Sequence, residues 1–225
     1  NIIKSIVFPK SMKWGGKNLR FARPIRYFLS LYNDKILSFD LEGIIVSNKT
    51  KGHRDLGSSE IIIDSIDNYK NLLRENGVIL ERSERKKIIK SESIKLAKAN
   101  GGELVFTEDL LNELVDINEY PTPFIGSFDK RYLSLPKEVI ITVMVDHQRY
   151  FAITDGEANL LPNFIAVRNG NSEGIENVRE GNEKVIEPRL SDAEFFFNED
   201  LSKKLEEFIP RLETASFHED LGSIY

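Results

Sequence analysis

The sequence predicts a mixed fold, α/β or more exactly α+β, in which a mixed, mostly antiparallel sheet packs against helices. Two observations lead to this class. Apolar, β-prone runs alternate along the chain with segments of helical periodicity, and two pairs of runs are separated by short turn signals typical of hairpins. A third is composition, because 225 residues of which 40% are hydrophobic suffice for a sizeable core.

The first predicted element is a β-hairpin from about residue 24 to 46. PIRYFLSLY and KILSFDLEGI are β-prone runs, and the turn-forming pair Asn33-Asp34 separates them. Side-chain alternation along the first strand places Arg26 on the exposed face of this half-buried hairpin. The polar, glycine-containing segment NKTKGHRDLG follows as a loop, a natural place for ligand contacts.

Three helices are predicted next. A short buried strand leads into a helix that is capped by Asp64 or Ser65 and ends at Gly77. A long charged helix then ends at Gly101-Gly102, and its basic residues are interpreted as a solvated face rather than a second basic stripe. The third helix begins after the cap Thr107 and ends before two prolines, and FIGSF forms a strand.

The second half begins with an ambiguous segment, LPKEVIITVMVDHQRYF, which has helical spacing but many β-branched residues, and a helix is predicted. RYFAIT and NFIAVRN form a second hairpin with a turn at Asp155-Gly156. A final helix follows, with a kink or restart expected at Pro188. The aromatic run Phe195, Phe196 and Phe197 is assigned to core and interdomain packing, with base stacking as the alternative.

Charge is distributed unevenly. Residues 1–54 contain 11 Lys or Arg and 3 Asp or Glu, a net charge of +8, so the rest of the chain carries −13 within a total of −5. Most of these cations lie in KSMKWGGKNLRFARPIRYFLSLYND, and we call residues 10–26 the basic arm. Such a cluster is typical of a polyanion-binding surface, and the alternative is an ordinary solvated face.

Other classes of function find less support. The chain has no cysteine and three histidines, so no metal site is expected, and no phosphate-binding loop is present. There is no apolar run of membrane length and no signal peptide, so we expect a cytoplasmic protein without a membrane partner. His147 is a candidate general base or ligand contact, with capping or packing as the alternative. The termini lead us to expect a piece of a longer chain.

Several long stretches resemble one family. They are MKWGGKNLRFARPIRYFLSLYNDKILSFDLEGI, KGHR, the ERK within SERKK, YFAIT with LLPNFIAVRN, and EGNEKVIEPRLSDAEFFFNEDL. In this order they resemble the β subunit of the bacterial-type, two-subunit glycyl-tRNA synthetase, over essentially the whole chain.

The resemblance implies glycine attachment to tRNA(Gly) by two α and two β subunits, with ATP and glycine bound by the α subunit. It implies tRNA binding by the β subunit, no cofactor and no catalytic residue in this segment, and no DNA partner. It also implies a B3/B4-like domain over residues 1–176, as in the β subunit of phenylalanyl-tRNA synthetase. Residues 177–225 would then be a helical segment leading to an HD-type domain beyond the chain.

The predicted tRNA contacts combine this resemblance with the basic arm and the KGHR segment. They are Lys13, Arg20, Arg23, Arg26, Lys51, His53 and Arg54. Trp14 and Phe21 are expected to pack in the core or to lie against ribose or a base. Two alternatives stay open. One is a protein-interaction scaffold, and the other is an editing hydrolase of mischarged tRNA with His147 or His53 as base.

Overall fold

The structure is a computed structural model that describes residues 2–219 and 222–224. Its contacts divide the chain into two compact units. Unit 1 comprises Asn1–Ile88, Val115–Thr122 and Asn169–Asn171, and unit 2 comprises Ile89–Leu114, Pro123–Arg168 and Ser172–Tyr225. The predicted domain boundary at residue 176 stays a prediction, as do the B3/B4-like and HD-type assignments.

Unit 1 contains short strands in three small sheets, of order β1-β5-β4, β2-β3 and β6-β7. Its elements are α1 (Ile2–Ser5), β1 (Phe28–Leu29), β2 (Leu31–Tyr32), β3 (Lys35–Ile36), β4 (Asp40–Leu41), β5 (Ile44–Ser47), β6 (Lys49–Thr50), β7 (Ile61–Ile62), a 3-10 helix (Ile66–Asn68), α2 (Tyr69–Glu75) and the start of α3 (Arg82–Ala99). The buried side chains of Ile61, Ile63 and Leu73 form one of its clusters.

The single hairpin predicted over residues 24–46 is wrong beyond its tip. β2 and β3 do pair antiparallel around Asn33-Asp34. However, a second tight turn at Glu42-Gly43, where φ is 53° and 82°, joins β4 to β5, and β1 pairs in parallel with β5. Because two successive residues with positive φ produce a two-residue hairpin turn, the chain reverses here instead of continuing the first hairpin.

The strand and helix predicted after residue 60 are confirmed. Ser65 caps the 3-10 turn that leads into α2, and its hydroxyl accepts a hydrogen bond from the N–H of Asp67 at 3.3 Å. Gly77 follows α2 with φ of 73°, a conformation that glycine adopts at low cost at the end of a helix. The capping chemistry in the sequence therefore identified both ends correctly.

The second part of the chain contains a four-stranded sheet of order β8-β10-β11-β9, in which β10 is antiparallel to both β8 and β11. Its elements are β8 (Glu103–Leu104), α4 (Glu108–Ile117), β9 (Pro121–Ser127), a 3-10 helix (Lys130–Ser134), α5 (Lys137–Thr142), a π-helical turn (Val143–His147), β10 (Phe151–Thr154), β11 (Leu160–Asn169), α6 (Ile175–Leu201), a 3-10 helix (Leu205–Thr214), β12 (Ser216–His218) and β13 (Gly222–Ser223). The predicted α+β class, the helix at 137–147 and the hairpin of β10 and β11 are confirmed. None of the described helices is both long and apolar enough to cross a membrane.

The core of unit 2 forms where α5 and α6 pack on this sheet. Ile186 and Leu190 of α6 are fully buried beside Phe164, whose ring stacks on Tyr150 with centroids 4.4 Å apart. α6 runs through Pro188 as one helix, so the predicted restart does not occur. These buried contacts on both sides of the proline stabilise the helix where one backbone hydrogen bond is missing.

The prediction that the aromatic run packs in the core is wrong for two of its three residues. Phe195 and Phe196 are exposed, with 61% and 62% of their surface accessible, whereas Phe197 packs partly against the unit 2 core. Successive residues on a helix point about 100° apart, so three consecutive rings do not share one face.

Candidate nucleic-acid interface

All seven predicted tRNA contacts belong to unit 1, and six of them are exposed. The exposed side chains are those of Lys13, Arg20, Arg23, Arg26, Lys51 and Arg54. His53 is buried, with 3% of its surface accessible. The role of all seven residues in RNA binding stays a prediction. Because His53 is buried, a ligand at the surface would contact the exposed side chains beside it and not its ring.

The basic arm folds back on itself. Met12 and Phe21 form an isolated antiparallel bridge, with N–H to O distances of 2.9 and 3.2 Å. Gly15 and Gly16 have φ of 55° and 70°, and the N–H of Lys17 donates to the Trp14 carbonyl at 3.0 Å. Such a turn requires positive φ at both central positions, which the glycine pair adopts readily.

This reversal brings two predicted contacts together. Lys13 and Arg20 adjoin the bridged pair, and directly opposed residues of antiparallel segments face the same side. The Arg20 guanidinium donates from Nε to the Ser11 hydroxyl and from a terminal nitrogen to the Ser11 carbonyl, each at 3.1 Å. The guanidinium is thus oriented without an acidic partner among the described residues, and its other N–H groups make no hydrogen bond there and can bind an anion.

The KGHR loop, residues 51–58, is packed tightly against the end of α2. The N–H of His53 donates to the Asn76 carbonyl at 2.8 Å, and the Asn76 amide oxygen accepts from the N–H of Ser58 at 2.9 Å. A Cβ atom on Gly52 would lie 2.7 Å from the Asn76 side chain, so only glycine fits there. The loop therefore presents Lys51 and Arg54 from a closely supported backbone.

One contact joins the KGHR loop to the residue that directly follows the basic arm. The ammonium group of Lys51 lies 5.9 Å from the centre of the Tyr27 ring, within the range of a cation–π interaction. Tyr27 directly follows Arg26, so this contact brings the end of the arm and the start of the loop into one region of unit 1.

The aromatic side chains of the arm are partly buried. Phe21 packs edge to face on Phe8, with ring centres 4.5 Å apart, and Trp14 is half-buried. This agrees with packing as the main role of Phe21.

The six exposed cations differ from several basic side chains of α3 in their charge partners. Within residues 2–219 and 222–224, none of the six forms an ion pair with another described residue. By contrast, Arg82 of α3 binds Asp116 at 2.7 Å, which lowers the pKa of that carboxyl. Arg85 donates to the Ile79 carbonyl at 2.7 Å and Lys90 lies over the Phe106 ring. Part of the α3 basic face is therefore occupied by internal contacts.

Sequence reasoning missed two residues that organise this surface. Asn76 supports the KGHR loop, and Glu42 binds the arm through backbone N–H groups of Asn18 and Leu19 at 2.7 and 3.0 Å. The Asn-Gly pair after α2 was a visible signal for Asn76. For Glu42 the one signal was an acidic side chain beside a glycine in a basic segment.

The alternative of an editing hydrolase has no assembled catalytic group in its favour. His147 is exposed at the end of the π-helical turn, and the buried His53 ring accepts the N–H of Asp55 at 3.2 Å. Within the described part of the chain, no three His, Asp or Glu side chains cluster so as to hold a metal ion. Editing through His53 or His147 stays a prediction.

Comparison with known proteins identifies the family. The family model for the glycyl-tRNA synthetase beta subunit matches residues 1–225. Proteins named glycine–tRNA ligase beta subunit are 56% identical over 99% of the chain in Clostridioides difficile strain 630, and 44% identical over the whole chain in Limosilactobacillus reuteri DSM 20016 and in Thermodesulfovibrio yellowstonii. The chain spans 32 to 33% of the length of these relatives. It therefore belongs to the glycyl-tRNA synthetase beta subunit family.

Proposed function

We propose that this chain is part of a β subunit that supports glycine attachment to tRNA(Gly) in the cytoplasm. In this proposal an α subunit uses ATP to activate glycine, and this segment contributes tRNA binding and subunit assembly without an active site or cofactor of its own. Family membership and the names of the relatives support the role in glycyl-tRNA synthesis.

The observation that carries the tRNA-binding part is the set of six exposed cations without described acidic partners. Lys and Arg release counterions when they bind phosphates, and cations already engaged in ion pairs give less of this gain. The Lys51–Tyr27 contact joins the KGHR loop to the residue directly after the arm, so the two segments are connected within unit 1. We assign these two segments to the phosphate backbone of tRNA(Gly).

The test is the double variant Arg20→Ala with Arg23→Ala in the full-length β subunit assembled with its α subunit. Loss of two phosphate contacts weakens tRNA(Gly) binding by roughly ten- to thirtyfold at low salt. The slope of log affinity against log salt concentration becomes shallower by about 1 to 2, because each lost contact removes nearly one released counterion. Both quantities follow from fluorescence anisotropy titrations at several salt concentrations.

The matched control is Lys130→Ala with Lys137→Ala, which removes the same charge from two exposed positions in unit 2. We expect this control to bind tRNA(Gly) within about twofold of the wild type. Unchanged affinity and unchanged salt slope in the Arg20 and Arg23 variant, or equal losses in both variants, would contradict the assignment.

A second candidate is a protein-interaction scaffold, which one observation favours. Phe195 and Phe196 expose most of their surface and form an edge-to-face pair with ring centres 5.4 Å apart. Adjacent exposed aromatic side chains are typical of protein contact sites. Crosslinking of the assembled enzyme with tRNA distinguishes the two: RNA crosslinks from residues 10–54 support the first proposal, and exclusively protein crosslinks from them support the scaffold.

A further inference from the structure

We infer that Glu42 is a positioning residue for Arg20 in the proposed tRNA-binding surface. Resting on the proposed function, this inference assigns to an acidic side chain the task of placing a cation for an RNA phosphate.

Glu42 projects from a well-supported turn. The flanking residues Leu41 and Ile44 are buried and pair across β4 and β5. The Asp40 carboxylate accepts the N–H of Gly43 at 3.0 Å and closes the turn from within. Because the base of the turn is buried and paired, the Glu42 carboxylate has a defined position.

From this position Glu42 holds three consecutive residues of the arm. Its Oε2 atom accepts the N–H groups of Asn18 and Leu19, and its backbone carbonyl accepts the Lys17 ammonium. Leu19 is buried beside them. Arg20 is the next residue, so the backbone directly before it is attached to the β4–β5 turn.

Arg20 is thus located from two sides. Glu42 holds the backbone that precedes it, and Ser11 accepts two hydrogen bonds from its guanidinium. A cleft of about 520 Å³ lies beside the same residues. Without the Glu42 carboxylate, the two backbone N–H groups lose their acceptor and the segment before Arg20 is held less firmly, which makes phosphate binding costlier in conformational entropy.

The charge of Glu42 would by itself repel RNA. Residues 1–54 contain 3 acidic side chains, and Glu42 is bonded to the arm. The Lys4 ammonium lies 3.1 Å from its Oε1 atom and compensates the charge. That hydrogen bond, together with the N–H group of Leu19, lowers the pKa of Glu42, so the carboxylate is ionised at neutral pH and accepts both backbone bonds.

The position and the charge of Glu42 predict opposite effects on binding. Simple electrostatics predicts that Glu42→Ala tightens tRNA(Gly) binding, because a negative charge is removed from a basic surface. The positioning role predicts that it weakens binding by about three- to tenfold. Glu42→Gln keeps an amide oxygen for both N–H groups and is expected to bind within about twofold of the wild type. The control Asp34→Asn removes a charge from the exposed β2–β3 turn and should not weaken binding.

The affinities are measured with the full-length β subunit assembled with its α subunit, with Arg20→Ala and the Arg20→Ala, Glu42→Ala double variant included. If Glu42 acts through Arg20, Glu42→Ala causes no further loss once Arg20 is absent. Unchanged affinity of Arg20→Ala alone would overturn the proposed role of this arginine. Weakening by Arg20→Ala together with unchanged or tighter binding by Glu42→Ala would overturn the inference on Glu42 alone.

Glu42→Asp keeps the experiment decisive if Glu42→Ala does not fold. Aspartate retains the charge but is one methylene too short to reach both N–H groups, whereas glutamine retains the reach without the charge. The positioning role predicts that the Asp variant binds tRNA(Gly) more weakly than the wild type, whereas the Gln variant binds within about twofold of it. An Asp variant that binds as tightly as the wild type, together with a Gln variant that binds more tightly than the wild type, would show that charge, and not position, is what matters at residue 42.

Discussion

At the scale of single residues, Tyr150 shows how burial and a hydrogen bond act on one side chain. Its residue surface is 5% accessible, its ring stacks on Phe164, and its hydroxyl donates to the Asn182 amide oxygen at 2.6 Å. Burial disfavours the charged phenolate and raises the pKa of Tyr150 to about 12, from 10.0. The neutral hydroxyl is therefore part of the folded core of unit 2.

This pKa makes stability depend on pH in alkaline solution. In the unfolded chain Tyr150 loses its proton near pH 10, whereas in the folded protein it keeps it to about pH 12. Its contribution is complete below pH 10 and is lost as the pH rises through 12. We expect the free energy of unfolding of the wild type to fall by about 2 kcal/mol more than that of Tyr150→Phe between pH 9 and pH 12.

The measurement is urea unfolding at a series of pH values between 9 and 12. The phenylalanine variant also loses the bond to Asn182, which lowers its stability by about 1 kcal/mol at every pH. Tyr32→Phe, at an exposed tyrosine, is the control and should follow the wild-type curve. Parallel curves for wild type and Tyr150→Phe would contradict the burial argument.

At the scale of elements, α6 is stabilised by packing more than by its own sequence. Its 27 residues include Gly181 and Pro188, both poor helix formers, and its buried Ile186 and Leu190 belong to the unit 2 core. Gly181 is exposed, and a Cβ atom there would meet no atom within 4 Å. A side chain at this position changes backbone entropy without changing contacts.

We therefore expect Gly181→Ala to raise the free energy of unfolding by about 0.5 to 1 kcal/mol, because alanine loses less conformational freedom in a helix. The matched control is Gly101→Ala, which also has open space around its Cβ but has φ of 74°. That left-handed conformation disfavours alanine, so stability should fall by about 1 kcal/mol. Urea unfolding measures both free energies. A lower free energy of unfolding in Gly181→Ala would contradict the expectation that a methyl group fits there without a clash.

At the scale of the whole molecule, positive charge is concentrated at one end of the sequence. Residues 1–54 carry a net +8 within a chain of −5, and six of the predicted contacts there are exposed. Acidic surface elsewhere in the chain limits indiscriminate binding to polyanions. This distribution predicts that RNA contacts occupy a small part of the chain.

Hydrogen exchange tests that distribution. In the assembled full-length enzyme, saturating tRNA(Gly) should slow amide exchange at residues 10–26 and 51–58, because bound segments open less often. The exposed 3-10 helix Leu205–Thr214 of unit 2 serves as the internal control and should exchange at an unchanged rate. Equal slowing of exchange at residues 10–26 and 51–58 and at Leu205–Thr214, or slowing at Leu205–Thr214 alone, would contradict an RNA contact limited to the arm and the KGHR loop.

Much of the fold was predictable where the signal is local. Helical spacing identified α4 and α6, and the charged run that ends at Gly101-Gly102 identified α3. The Asp155-Gly156 pair identified the turn between β10 and β11, and Ser65 identified the cap before α2. The errors arose where the same short stretch of sequence is compatible with two local structures or with two degrees of burial. Glu42-Gly43 was treated as strand although it forms a turn, and the adjacent Phe195 and Phe196 were treated as one buried face.

The sequence by itself determined the class of fold, the family and the concentration of basic residues near the start of the chain, because periodicity, turn residues and long motifs depend on near neighbours. Only the tertiary structure decided which polar side chains have partners. It buries His53, bonds the Arg20 guanidinium to Ser11 and to no acidic side chain in the part of the chain that the structure describes, and brings Glu42 to the backbone of Asn18 and Leu19. Such contacts join residues far apart in the chain, so they follow from how the strands and turns of unit 1 pack and not from any local pattern.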